Sequence, residues 1–300
     1  MATQHKVMLA DNSTDDNFRQ WGKSISDAIT ALGWVHSVDT QINWSTVTAP
    51  AQNTFSTSVE IWQNNDSILP NMFIKIRYGS SNNATPAPAI AIQCGTGSDG
   101  SGNLTGTGMA EQTMMSGTVA GQGSNVYFNS FFSGNGVGGR LAMMLYSDFS
   151  SGSCGFMVER SRDNTGVATT AYFTWITFNH GYSTSLVRQN SIFGSGSVMG
   201  ASTPTATLVG CCTITLQNVS EVGSAGIPIF PIYPVVGYVG NPITSFVELN
   251  PNDVVNNNGT LITSQLYNTS MKYLLHQGNV SSGFDTITGI AFSAVGMRYD

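Results

Sequence analysis

Hydrophobic positions along the chain follow two different periods. Between Asn12 and Trp34, Phe18, Trp21, Ile25, Ala28, Ile29 and Leu32 recur at the spacing of one helical face. The pattern predicts an amphipathic helix. Ser13 is placed to cap its first amides, Asp15 and Asp16 lie in its first turn, and Gly33 supplies a left-handed stop. Gly22 costs the middle of this helix about 1 kcal/mol relative to alanine, so it needs a surface to lie on. Beyond residue 36 the period becomes two. In Asn71–Gly79, Ile74, Ile76 and Tyr78 face one way and Phe73, Lys75 and Arg77 the other. The stretches SNVYFNSFF, RLAMMLYS, GFMVERS, TAYFTWITF, ATLVGCCTITL and TITGIAFSAVGMRYD repeat the theme between Gly/Asn/Ser-rich connections. ERSRDNTG (159–166) reads as a hairpin turn.

This series predicts a mainly β protein, an antiparallel β-sandwich or jelly roll with one short N-terminal amphipathic helix. Residues 1–35 form an N-terminal segment carrying the helix. Residues 36–300 form the β region, with a candidate boundary between two lobes near 193–207. No fixed-period repeat points to a propeller or solenoid. Gly95–Gly108 and Phe193–Thr205 read as long loops. Pro228, Pro231 and Pro234, spaced by three, fit either a polyproline arm or an edge strand.

Composition narrows the function. Only 9% of the 300 residues are charged, against about 25% in an ordinary globular domain. Ser, Thr, Asn and 33 glycines take their place. Uncharged polar surface is cheaper to bury against other subunits than lysine is. The net charge is −6 and the 11 Lys+Arg are scattered, so no basic stripe exists to follow a phosphate backbone; nucleic acid is not an expected partner. The most apolar run, Ile227–Val239, is too short to span a bilayer and holds three prolines, and no membrane association is expected. The first residues lack a signal-peptide pattern, so folding in the cytoplasm is expected.

Candidate chemistry is sparse. Cys94, Cys154, Cys211 and Cys212 form no metal motif and read as buried small hydrophobes. His5, His36, His180 and His276 are isolated in sequence. Asp99, Ser101 and Asn103 match the start of a calcium loop, but Leu104 and Ala110 occupy its glycine and glutamate positions. In EIWQNND, Glu60 and Asp66 flank Trp62 and invite comparison with a glycosidase carboxylate pair. Strand alternation instead puts Ser58, Glu60 and Trp62 on one face and Val59 and Ile61 on the other, with Asp66 in a following turn. No catalytic, cofactor-binding or metal-ligating residue is assigned, no cofactor is expected, and binding residues stay unassigned.

The order of several segments carries a resemblance. FRQWGKSISDAITALGWV, TQINWSTVTAP, VEIWQNND, FIKIRYG and GTGSDGSGNLTG, then FMVERSRDNTG and the closing GMRYD, together resemble a group of tailed-bacteriophage and prophage virion proteins. The resemblance covers most of the first 110 residues and both ends of the chain. It implies a noncatalytic structural component of a phage particle, assembled in the host cytoplasm. The expected form is a symmetric homo-oligomer, a trimer or hexamer, attached to the tail, baseplate or neck through other virion proteins. Capsid decoration is the first alternative. The second is recognition of a host surface glycan, with Trp175, Tyr182, Asn179 and Gln189 as the stacking and hydrogen-bonding candidates. Trp21, Trp34, Trp44 and Trp62 read as core, or else as anchors of a subunit contact.

Overall fold

The computed structural model describes residues 2–66, 72–80, 88–106, 111–115, 126–147, 152–162, 168–180, 198–199, 221–222, 228–232, 243–249, 261–264, 271–277 and 294–300. In chain order these hold β1 (Ala2–Ala10), α1 (Asp15–Ala31), β2 (Val35–His36), β3 (Thr54–Phe55), β4 (Glu60–Gln63), β5 (Phe73–Ser80) and β6 (Pro88–Gly95). Next come β7 (Gly97–Ser98), β8 (Leu104–Thr105), β9 (Gln112–Met115), β10 (Val126–Asn135), β11 (Arg140–Ser147), β12 (Gly152–Arg162), β13 (Ala168–His180) and β14 (Val198–Met199). The remaining strands are β15 (Glu221–Val222), β16 (Pro228–Ile232), β17 (Ile243–Leu249), β18 (Leu261–Ser264), β19 (Met271–Gln277) and β20 (Ala294–Arg298).

The protein is mainly β, as the period-two pattern predicts, with α1 the single helix among the described residues. Every described strand pairing is antiparallel. A central sheet runs β1-β10-β11-β12-β13-β14. An N-terminal sheet runs β2-β4-β5-β6-β9, with β3 on β5, and a C-terminal sheet runs β15-β16-β17-β20-β19-β18.

Alternation decides which face each sheet buries. Phe132, Leu141, Met143, Leu145, Phe156, Val158 and Tyr172 of the central sheet share one core with α1 and with Trp62, Ile74, Ile76, Tyr78, Ile90 and Ile92 of the N-terminal sheet. The helix contributes Phe18, Trp21, Ile25, Ala28, Ile29 and Leu32, all buried, which is the face read from the sequence. The opposite face of β4 and β5 packs Val59, Ile61 and Phe73 under Leu104 of the β7–β8 hairpin. The C-terminal sheet lies toward the other face of the central one, where the Phe131 and Tyr299 rings meet edge to face at 5.6 Å.

Two glycines make close approaches that no side chain would permit. A Cβ on Gly22 would sit 2.0 Å from the Trp44 indole, so the residue that weakens the helix makes room for the ring that covers it. A Cβ on Gly136 would sit 2.0 Å from the Gly33 carbonyl oxygen. There the β10–β11 turn caps the helix end, with the Gly136 N–H donating to the Leu32 carbonyl at 2.9 Å. Gly33 itself has φ +85°, the left-handed stop expected of it.

Several expectations need correction. The N-cap is Thr14, whose hydroxyl accepts from the Asn17 N–H at 3.1 Å; Ser13 instead donates to Asp11, with its N–H and its hydroxyl both 2.7 Å from that carboxylate. The Gly95–Gly108 segment is not an open loop over its described part, because β7 and β8 pair within it. Pro228 opens β16 and Pro231 sits at a register shift against β17, so both are strand residues in a paired strand, with the bulge accommodating the missing N–H. β12 and β13 pair as the predicted hairpin, while the turn at 163–167 lies outside the described residues. ATLVGCCTITL, Pro234, and all of Phe193–Thr205 except Val198 and Met199 also lie outside them.

Candidate functional site

The described residues converge on chemistry most closely at Glu60. β4 is short and buried, and its alternation turns Glu60 and Trp62 toward α1, where Glu60 is 0% exposed. A carboxylate at such a position costs several kcal/mol unless its lone pairs are filled. Four side chains reach them, three at one oxygen and one at the other. Ser26 Oγ from α1 donates to Oε1 at 2.6 Å, His36 Nε2 from β2 lies 2.9 Å from Oε1, and Trp44 Nε1 donates to Oε1 at 3.2 Å. Tyr78 from β5 donates its hydroxyl to Oε2 at 2.7 Å. An indole N–H can only donate, and an ionised carboxylate can only accept, so the set is consistent with an ionised Glu60 and with the proton of His36 on Nε2.

Aromatic rings wall this node off. His36 lies over Trp62 with centroids 3.8 Å apart, Trp44 meets Tyr78 edge-on at 4.8 Å, and Trp21 meets Tyr78 edge-on at 5.8 Å. Burial pushes the Tyr78 phenol well above its ordinary value, and the Glu60 charge beside it pushes the same way. Chemically the node is a lock. Its carboxylate meets four donors, three at Oε1 and one at Oε2, is closed to solvent, and joins helix, edge strand, the Trp44 segment and β5 at one point.

Asp66 does not join it. Its carboxylate lies 3.6 Å from the Arg160 guanidinium, which in turn stacks over the Tyr172 ring at 4.3 Å. The two acids of EIWQNND therefore serve different contacts, and the glycosidase comparison loses its pair. Asn64 between them accepts the Met72 N–H at 2.6 Å and ends β4. Asp99 also turns inward on its own loop. One oxygen accepts the Ser101 and Asn103 N–H groups at 2.8 and 3.0 Å, and the other accepts the Asn103 amide at 2.9 Å. Those hydrogen bonds, the Asn103 side chain first, hold its carboxyl below the usual range. The calcium-loop positions thus close a turn.

A second buried polar cluster lies between the central and C-terminal sheets. Arg140 is 6% exposed and donates to Ser133 Oγ at 2.7 Å, while its Nε and Nη1 have no hydrogen-bond partner among the described residues. Burial lowers the guanidinium to about 10; Glu159 and Asp300 oppose that shift and Arg298 adds to it. Arg298 is itself tied to Asp300 at 2.8 Å.

Among the described residues no group of three or more His, Cys, Asp or Glu is placed to hold a metal ion, and no helix is long and apolar enough to cross a membrane. Cys94 is a buried free thiol, pushed up by burial. Cys154, His180, His276, Trp175 and Asn179 lie on described backbone with undescribed side chains; Cys211, Cys212, Tyr182 and Gln189 lie outside the described residues. Of the four tryptophans near the N-terminus, Trp21, Trp34 and Trp62 are core, and Trp44 is half-buried against it. His5 stacks on Phe131 at 4.4 Å.

The sequence pattern places Glu60 with Trp62 and Tyr78 with Ile74 and Ile76; it does not show that the pairing of β4 with β5 sets all five on one face of one sheet. A carboxylate in phase with a tryptophan on a short apolar strand was the available signal. Comparison with family models, with curated proteins and with solved structures gave no match in any of the three.

Proposed function

We propose that this chain is a noncatalytic structural subunit of a tailed-phage particle, working as a symmetric oligomer attached to the tail, baseplate or neck. One observation carries the reading. The segments whose order resembles phage virion proteins are the segments that meet at Glu60: α1 through Ser26, the Ile42-Asn43-Trp44 stretch through Trp44, EIW through Glu60, and FIKIRYG through Tyr78. The GTGSDGSGNLTG stretch lies over the far side of the same strands through Leu104. The segments that carry the likeness thus lie in one folded unit. The four donors on fully buried Glu60, and the separate ion pair of Asp66, favour a scaffold over acid–base chemistry in EIWQNND. The low-charge composition supports a life among other subunits.

The test is immunogold microscopy on purified particles from the source, with antibody raised against this chain. Label at the tail, baseplate or neck is expected. Label spread over the head would move the role to capsid decoration. Protein free in the lysate, with no label on intact or disrupted particles, would overturn the virion reading.

A further inference from the structure

We propose that residues 43–49 form a strap that lifts off α1 as one piece, with the Trp44 indole as its latch. This goes beyond the particle assignment and does not depend on it. The strap carries its own local fold. Asn43 accepts the Ser45 N–H through its side chain at 3.0 Å, and the Thr46 and Val47 N–H groups through its carbonyl at 3.0 and 2.9 Å. Among the described residues, no main-chain hydrogen bond joins residues 43–49 to the main chain of another segment. Asn43, Ser45, Thr46 and Thr48 are exposed. The flanks are fastened away from the helix: the Gln41 and Ile42 N–H groups donate to the Val59 carbonyl, and the Ser80 hydroxyl donates to the Pro50 carbonyl.

One stripe of the helix seats the strap. Asp15, Arg19, Gly22 and Ser26 fall at the i, i+4, i+7 and i+11 spacing of a single face. Asp15 Oδ1 accepts the Ala49 N–H at 2.8 Å, Arg19 Nε donates to the Val47 carbonyl at 2.7 Å, and Gly22 leaves the notch in which the Trp44 ring sits. Ser26 ends the stripe at Glu60. The 3.2 Å contact of Trp44 is the longest of the four on Glu60, so lifting the indole exchanges one donor for water while Ser26, His36 and Tyr78 stay bonded. Three half-buried side chains, Trp44, Val47 and Ala49, leave the core with it. A segment fastened this lightly opens on its own far more often than the sheets beneath it unfold. The open strap bares a notch lined by Gly22, Phe18 and Tyr78 with Glu60 Oε1 as its acceptor, which suits a flat ring carrying an N–H, as the Trp44 indole does.

Hydrogen exchange followed by NMR on the full chain tests the strap through two protons that lifting frees: the Trp44 indole N–H, held by Glu60, and the Ala49 N–H, held by Asp15. The Trp34 indole N–H, buried on the Arg140 carbonyl at 3.1 Å, reports the core. Equal protection of the two strap protons is expected, below that of Trp34 by about a hundredfold or more. Urea below the unfolding transition should speed Trp34 steeply and the strap protons hardly at all, because lifting exposes little surface. Arg19→Met removes the hydrogen bond to Val47 and should speed both strap protons together, by about tenfold. Trp44 and Ala49 exchanging at the Trp34 rate, with its urea dependence, would overturn the strap, since it would then open only with the core. Arg19→Met speeding Ala49 without Trp44 would also overturn it, because one end would be fraying instead of the whole piece lifting. Either result leaves the virion reading to be judged by particle labelling.

Discussion

Two buried polar clusters hold this protein together in different ways. At Glu60 the charge is met by direct hydrogen bonds, four donors at 2.6–3.2 Å from four separate segments. At Arg140 one guanidinium hydrogen bond reaches Ser133, two guanidinium nitrogens have none among the described residues, and the charge is offset through space by Glu159 and Asp300 against Arg298. The first arrangement is directional. It fixes where helix, strands and the Trp44 segment sit relative to one another. The second is a balance of charges across two sheets, tolerant of small shifts and weaker per group. Low-dielectric surroundings strengthen a satisfied network and penalise an unsatisfied one, so the two should respond differently to perturbation.

The largest effect is expected in alkali, where both clusters fail together. Tyr78 beside Glu60 and Tyr273 in the Arg140 cluster are raised by burial, and Tyr172 is raised to about 12. A phenol that stays protonated in the folded chain while its unfolded counterpart ionises near 10 contributes stability that is lost as pH climbs through that interval. Arg140, lowered to about 10, acts oppositely: its folded form sheds a proton that the unfolded chain keeps, which adds stability with rising pH. Three phenols against one guanidinium leave a net loss. Urea midpoints should therefore fall steeply above pH 10, and a flat profile to pH 12 would contradict the burial of these tyrosines.

Glu60→Ala comes next, with a loss of about 3–5 kcal/mol in urea unfolding, because it strands the Ser26, Trp44 and Tyr78 donors in the core. Gly22→Ala separates local from tertiary physics. Helix propensity alone forecasts a gain of about 1 kcal/mol. The added methyl must displace Trp44 from the helix and from Glu60, so a net loss of about 1–3 kcal/mol is expected. Stabilisation by this variant would break the account of why Trp44 lies there. Arg140→Met should cost about 1–2 kcal/mol, less than Glu60→Ala: one hydrogen bond is lost and buried Glu159 loses a compensating charge, while relief of the under-paired cation offsets part of both. If it matched Glu60→Ala, the contrast between the clusters would be wrong.

Much of the scaffold was legible in the chain. The helical face from Phe18 to Leu32, the Gly33 stop and the β5 faces follow from periods of 3.6 and two, which depend on backbone geometry alone. β1 was not legible: ATQHKVMLA has no clean alternation, and it becomes a strand through its nine-residue pairing with β10, more than a hundred positions away. The N-cap was missed by one residue because Ser13 and Thr14 are chemically equivalent choices, and Asp11 takes Ser13.

What the sequence by itself determined is local: which residues repeat at which period, where glycine stops a helix, and how little charge the surface carries. What only the tertiary structure decided is which faces meet. Ser26, His36, Trp44, Glu60 and Tyr78 span 53 positions on five segments, and nothing in their spacing brings them together. They meet because the apolar faces around them pack, and the buried carboxylate is then met by four of the donors those faces bring in.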